Sequence, residues 1–180
     1  GYTGEDGFEI SMPGNRAEEI ARLLLAREEV EAIGLGARDS LRLEAGLCLH
    51  GHDIDAATTP IEAGLAWSIQ KRRRAGGGFP GADIILAQLK DGAGRKRVGI
   101  LPDGRAPARE GADVVDGDGK VIGAITSGGF GPTLGGPVAM GYVHAEHGGT
   151  GTSLGLMVRG KTLPAKVAKM PFVPAGYFRG

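Results

Sequence analysis

One cysteine, Cys48, is all the chain carries. An internal disulfide is therefore excluded, which fits a reducing compartment, and the apolar neighbours Leu47 and Leu49 lead us to expect a buried structural thiol. An excess of one charge is missing as well. The 21 Lys and Arg residues face 21 Asp and Glu residues, so no net field draws the protein to nucleic acid or to anionic lipid. No apolar run approaches the roughly 20 residues of a membrane span. No signal-peptide pattern stands at this start, and any targeting segment is expected in sequence outside these residues.

Glycine is abundant, at 34 of 180 residues, and it crowds the sequence after Gly76 together with aspartate and proline. That pattern predicts frequent turns between short strands. With 41% hydrophobic and 23% charged residues, the chain has the composition of a globular protein with one large domain or two small ones.

The first part reads as mixed α and β. Apolar residues recur at helical spacing from Asn15 to Glu29, with Ile20, Leu23, Leu24 and Leu25 near one side, and a second helix is expected from about Gly36 to Ala45, stopped by Gly46. Alternation over Gly7 to Met12 predicts a strand, and Thr59-Pro60-Ile61-Glu62 resembles a helix cap with proline in the first turn. The run from Lys71 to Gly78, three arginines and three glycines among its residues, breaks every periodicity and is expected to be an exposed loop or boundary. We place the domain border there, with residues 1–78 in one unit and 79–180 in the other.

Beyond it a helix is expected from Gly81 to Leu89, then strands at Arg97 to Leu101, Ala112 to Val115, Val121 to Thr126, Val138 to Val143, Leu154 to Val158 and Leu163 to Ala168. Asp116-Gly117-Asp118-Gly119 is a hairpin signal, and short strands spaced by turns predict a closed or nearly closed antiparallel barrel.

Two patterns invite chemical readings that the residues do not support. Gly155 to Thr162 satisfies the phosphate-loop expression, but Leu156, Met157, Val158 and Arg159 read as strand and Pro164 falls where the helix must propagate. Strand, turn, strand is expected there. His50, His52, Asp53 and Asp55 lie within six residues, yet zinc sites favour other spacings, so a solvated loop with local aspartate caps is the preferred reading. The basic run Lys71 to Arg74 reads first as a solvated surface, with docking of a partner or of a folate tail left open.

Glu9 and Arg38 are the pair to single out. They either form a simple ion pair that locks strand to helix, or offer bidentate hydrogen bonds to a flat heterocycle in a partly dry concavity.

Three stretches settle what the chain resembles: Gly1 to Ile10 (Gly-Tyr-Thr-Gly-Glu-Asp-Gly-Phe-Glu-Ile), Ala37 to Leu47 (Ala-Arg-Asp-Ser-Leu-Arg-Leu-Glu-Ala-Gly-Leu) and Met170 to Pro174 (Met-Pro-Phe-Val-Pro). In this order they resemble the aminomethyltransferase, or T protein, of the glycine cleavage system, over Gly1 to Phe178. The resemblance implies an α+β fold: a mixed α/β folate-binding subdomain followed by a C-terminal antiparallel β-barrel. It implies transfer of a one-carbon unit from the aminomethyl-lipoyl arm of H protein to tetrahydrofolate with release of ammonia, in a bacterial cytoplasm or a mitochondrial matrix, without a metal. By matching, Glu9, Arg38 and Tyr177 hold the pterin, and Tyr2, Trp67 and Arg97 line the rest of the folate site. No residue here matches the family's catalytic aspartate, and Asp39, Asp53 and Asp55 are not put in its place. Since the first motif begins on Gly1, the chain is expected to be the C-terminal part of a longer polypeptide, catalytically incomplete alone. Related readings are a folate-dependent demethylase, the T-like portion of a dimethylglycine or sarcosine dehydrogenase, and a non-enzymatic folate-binding relative. The last usually bears a Gly-Cys-Tyr-x-Gly-Gln segment, absent here.

Overall fold

Six strands close into an antiparallel barrel: β1 (Arg95–Pro102), β2 (Asp113–Val115), β3 (Val121–Gly131), β4 (Gly136–His144), β5 (Ser153–Val158) and β6 (Lys161–Ala168). They run in the order β1-β4-β3-β2-β5-β6, and β6 pairs back onto β1. The computed structural model that shows them describes residues 1–180. Val98 and Ile100 of β1, Ile122 and Ile125 of β3, Leu156 of β5 and Val167 of β6 meet in one buried interior cluster. Alternation puts the β1 pair on one face, and the register shift against β2 beside Ile122 lets Ile122 and Ile125 share the inside. The turn after β2 forms as expected, with Asp116 Oδ1 accepting the N–H groups of Asp118 and Lys120 at 3.0 and 2.9 Å. Gly155 to Thr162 is strand, turn, strand, as its residues require.

Four helices accompany the barrel: α1 (Ala17–Leu25), α2 (Leu35–Glu44), α3 (Lys71–Gly76) and α4 (Ala82–Asp91). α2 positions the site. Arg42, Leu43 and Glu44 at its end are buried, and Leu43 packs with Val138 and Met140 of β4, flanked by Met170 and Phe172. The helix stops at Gly46, whose φ of +68° lets its own N–H reach Leu43 O and the next N–H reach Arg42 O, the paired closure of a left-handed C-terminal cap.

Several expectations are corrected. Gly7 to Met12 forms no strand: it makes no backbone–backbone hydrogen bond, and Phe8 and Ile10 are exposed, so its alternation has no ladder to join. α1 ends at Leu25 instead of Glu29, where Ala26-Arg27-Glu28-Glu29 offers no large apolar residue to prolong the stripe. The basic run is a helix and not a loop: Lys, Arg and Ala are strong helix formers, and Arg74 covers the carbonyls of Ala66 and Ile69 until Gly77 ends the turn. Thr59 and Glu62 do make a reciprocal capping box, but the chain continues only through a single turn. No helix is long and apolar enough to cross a membrane.

Candidate functional site

Arg38 lies in the first half of α2, and its guanidinium carbon sits 4.4 Å from the centre of the Tyr2 ring. A guanidinium over an aromatic face is attracted by the ring's quadrupole and held flat. The Arg38 side chain makes no hydrogen bond or ion pair with the protein, so its donors remain available to a ligand. Glu9 is likewise exposed and unbonded, and no ion pair joins it to Arg38. The locking contact between these two, one of the two readings of the sequence, is not formed.

Tyr2 is tied down at its other end, where its hydroxyl donates to the carbonyl of Cys48. Burial pushes the Tyr2 phenol above its ordinary pKa, assisted by the charge of Asp53 and opposed by Arg42 and Arg38. Cys48 is half-buried, with its thiol also raised by burial.

Tyr177 reaches the same region by a different route. Gly176 donates to Gly4 O at 2.9 Å and the N–H of Phe178 donates to Asp6 Oδ2 at 2.7 Å, so the tail crosses the first segment next to Tyr177, which is 41% exposed. Thus the structure brings Tyr2 under Arg38, and lays Tyr177 beside the segment that leads to Glu9. Trp67 stands apart. It is 76% exposed on the Ala66–Ser68 turn, pinned by Arg74, and no hydrogen bond links it to Tyr2, Arg38 or Glu9.

Arg97 is buried. Its Nε donates to Ala63 O at 2.9 Å and its Nη1 to Gly46 O at 3.0 Å, which brackets the end of α2 and the 59–64 turn onto the outer face of β1. It lines a cleft of about 370 Å³ together with Lys96, Lys169 and Met170.

Beneath Tyr2 lies a buried ionic network that the sequence pattern did not show. Asp53, expected in a solvated loop, is fully buried, and its Oδ2 accepts Arg42 Nη1 at 2.8 Å, Ser127 Oγ at 2.8 Å and the Leu49 N–H at 2.9 Å. Thr126 Oγ1 donates to the other carboxylate oxygen. Two consecutive β3 residues reach one carboxylate because the register shifts between Ile125 and Ser127. A bulge of this kind re-aims side chains that would otherwise alternate. The rest of the loop is as expected: His50 and His52 are exposed, and Asp55 caps Ala57 and Thr58. The bonds from Thr58 and Ala57 hold the Asp55 carboxyl below its usual value. The signal that could have marked Asp53 is its spacing of eleven residues from Arg42 on the preceding helix.

Comparison with known proteins now adds identity to this geometry. The family model described as the GCVT N-terminal domain matches residues 1–73, and the one described as the glycine cleavage T-protein C-terminal barrel domain matches residues 95–174. The mitochondrial aminomethyltransferase of Solanum tuberosum is 52% identical over 181 residues, covering 99% of this chain and 44% of the relative. That of Gallus gallus is 55% identical over 178 residues, covering 99% and 45%. A crystal structure of the glycine cleavage system aminomethyltransferase T from Bartonella henselae superposes with a TM-score of 0.95 at 51% identity, covering 99% of this chain and 50% of that one. The chain spans about half the length of the relatives it matches.

Proposed function

As this chain belongs to the glycine cleavage T-protein family, we propose that it carries the pterin-holding face of a tetrahydrofolate-dependent aminomethyltransferase. The observation that carries the reading is Arg38, held flat on Tyr2 with none of its donors spent on protein. A planar cation of this kind matches the fused polar edge of a pterin, and charge-assisted bonds from it and to the Glu9 carboxylate fix the ligand's orientation.

In this proposal Glu9 accepts from the pterin's N–H groups, Arg38 donates to its acceptors, and Tyr177 closes the face from the tail. Trp67 offers a flat surface to the ligand's aromatic part. Arg97, with Nε and Nη1 committed to backbone carbonyls, supports the face from below. The border near residue 78 belongs to the proposal too, since the two family matches leave 74–94 between them and α4 lies there.

The reaction we assign to the complete enzyme is one-carbon transfer from the aminomethyl-lipoyl arm of H protein. Two folate amines in turn each form a bond to the methylene carbon as its carbon–nitrogen bond to the departing amine and its carbon–sulfur bond to the lipoyl arm break, and the two amine protons leave on ammonia and on the dihydrolipoyl thiol. Orientation of the two reactants supplies much of the rate. Proton handling is assigned to no residue of this chain. Relatives named mitochondrial fit a matrix location, and bacterial cytoplasm fits the same chemistry.

The test is a calorimetric titration with tetrahydrofolate on material shown to unfold cooperatively, with Glu9→Ala alongside. We expect affinity to fall at least about tenfold, the size of one lost charge-assisted bond. An affinity unchanged in Glu9→Ala removes Glu9 from the site.

A further inference from the structure

We propose that Asp53 is a positioning residue for Arg38, acting through a closed circuit of contacts; the inference rests on the folate-face reading above. Arg38 and Arg42 stand one turn apart on α2. From Arg42 Nη1 the circuit runs 2.8 Å to Asp53 Oδ2. The same oxygen accepts the Leu49 N–H at 2.9 Å, which fixes the peptide directly after Cys48. The Cys48 carbonyl accepts the Tyr2 hydroxyl, and the Tyr2 ring returns to Arg38 at 4.4 Å. The Asp53 carboxylate is thus the hinge between the helix that bears Arg38 and the ring that holds it flat.

The barrel keeps that hinge in place. Ser127 and Thr126 at the β3 bulge donate to the carboxylate, and the Tyr142 hydroxyl donates to Asp53 O at 2.7 Å. A buried ion pair contributes little net stability in general, since desolvation offsets much of the attraction. This pair therefore calls for another role, and its connections supply one. A long exposed arginine with no other protein partner loses rotamer freedom when it binds, and a ring that pre-orders it lowers that loss. Asp53 touches no ligand-facing group itself and works only through Tyr2 and α2.

The experiment is a double-mutant cycle in the intact enzyme, reading the tetrahydrofolate KM, the aminomethyl-donor KM and kcat. Asp53→Asn keeps the side chain's shape and removes its charge. We expect its folate KM to rise about tenfold, with kcat and the donor KM within about twofold, as loss of ligand binding requires. On the Arg38→Ala background the same change should raise the folate KM by less than about twofold, because the residue it acts through is gone. An equal factor in both backgrounds, or a loss confined to kcat, overturns the proposal. Should Asp53→Asn fail to unfold cooperatively, Tyr2→Phe carries the same cycle, with a rise of about threefold expected for one neutral hydrogen bond. Arg38→Ala alone separates the two layers: if it leaves the folate KM unchanged, the folate-face reading itself falls, whereas a large Arg38 effect with a null cycle removes only the role of Asp53.

Discussion

Glu44, at the last turn of α2, accepts the backbone N–H groups of Thr133 and Leu134 through one carboxylate oxygen, each at 2.8 Å. The carboxylate is buried, and it caps the turn between β3 and β4. Helix and barrel are therefore joined by a charge-assisted contact that spans about 90 residues of sequence. Glu44→Ala leaves both donors short of a partner, and we expect a loss of about 3 kcal/mol in urea unfolding. Gly131→Ala should act on the same contact, since a Cβ there meets Glu44 Oε1 at 2.7 Å. The expected cost is about 1–2 kcal/mol.

Gly123 in β3 lies hard against the carbonyl of Tyr142 on β4, and a Cβ at that position overlaps backbone that cannot rotate away. Gly123→Ala must open the longest strand pairing in the barrel or bend β3. We expect a loss of roughly 3 kcal/mol or more, read as a lowered urea midpoint. A midpoint equal to the parent's would show that the two strands separate freely there.

Tyr142 gives the fold an alkaline limit. Burial pushes its phenol up to about 12, and its hydroxyl donates to Asp53 O. A folded pKa above the unfolded value of about 10 means that the native state keeps its proton where the unfolded chain has lost it. Stability from this group is full below pH 10 and is lost as the pH rises from about 10 to 12. Urea unfolding across that window should show the fall, and Tyr142→Phe should flatten it.

On the proposed folate face, Arg38→Ala should weaken tetrahydrofolate binding at least about tenfold, and Arg73→Ala by less than about twofold. Arg73 already donates to the carbonyl of Gly78, four residues clear of Trp67's turn. Equal losses in the two variants point to general charge attraction in place of a shaped pocket.

The barrel was legible because glycine-bounded apolar runs carry their period locally: all of the strands expected after Arg97 form, most longer by a few residues than their apolar cores suggest. α2 and α4 were legible for the same reason. What local patterns could not show is partnership. Gly7 to Met12 alternates correctly yet finds no neighbour, and Lys71 to Gly76 lacks an apolar period yet is helical because its arginines cap nearby carbonyls. Asp53 was hidden directly after two exposed histidines; only the bulge in β3, far along the chain, shows why an acid there is dry. Arg38 stood out by motif, whereas its seat on Tyr2 depends on a carbonyl at Cys48 that no pattern marks.

Residues 176 and 178 bond to residues 4 and 6, and this sets a clock on synthesis. The Glu9 and Arg38 segments leave the ribosome before the Tyr177 segment, so the proposed folate face cannot be completed while the intervening barrel is still being translated. Contacts of such sequence separation form slowly. Translation of the barrel strands therefore precedes completion of the proposed folate face.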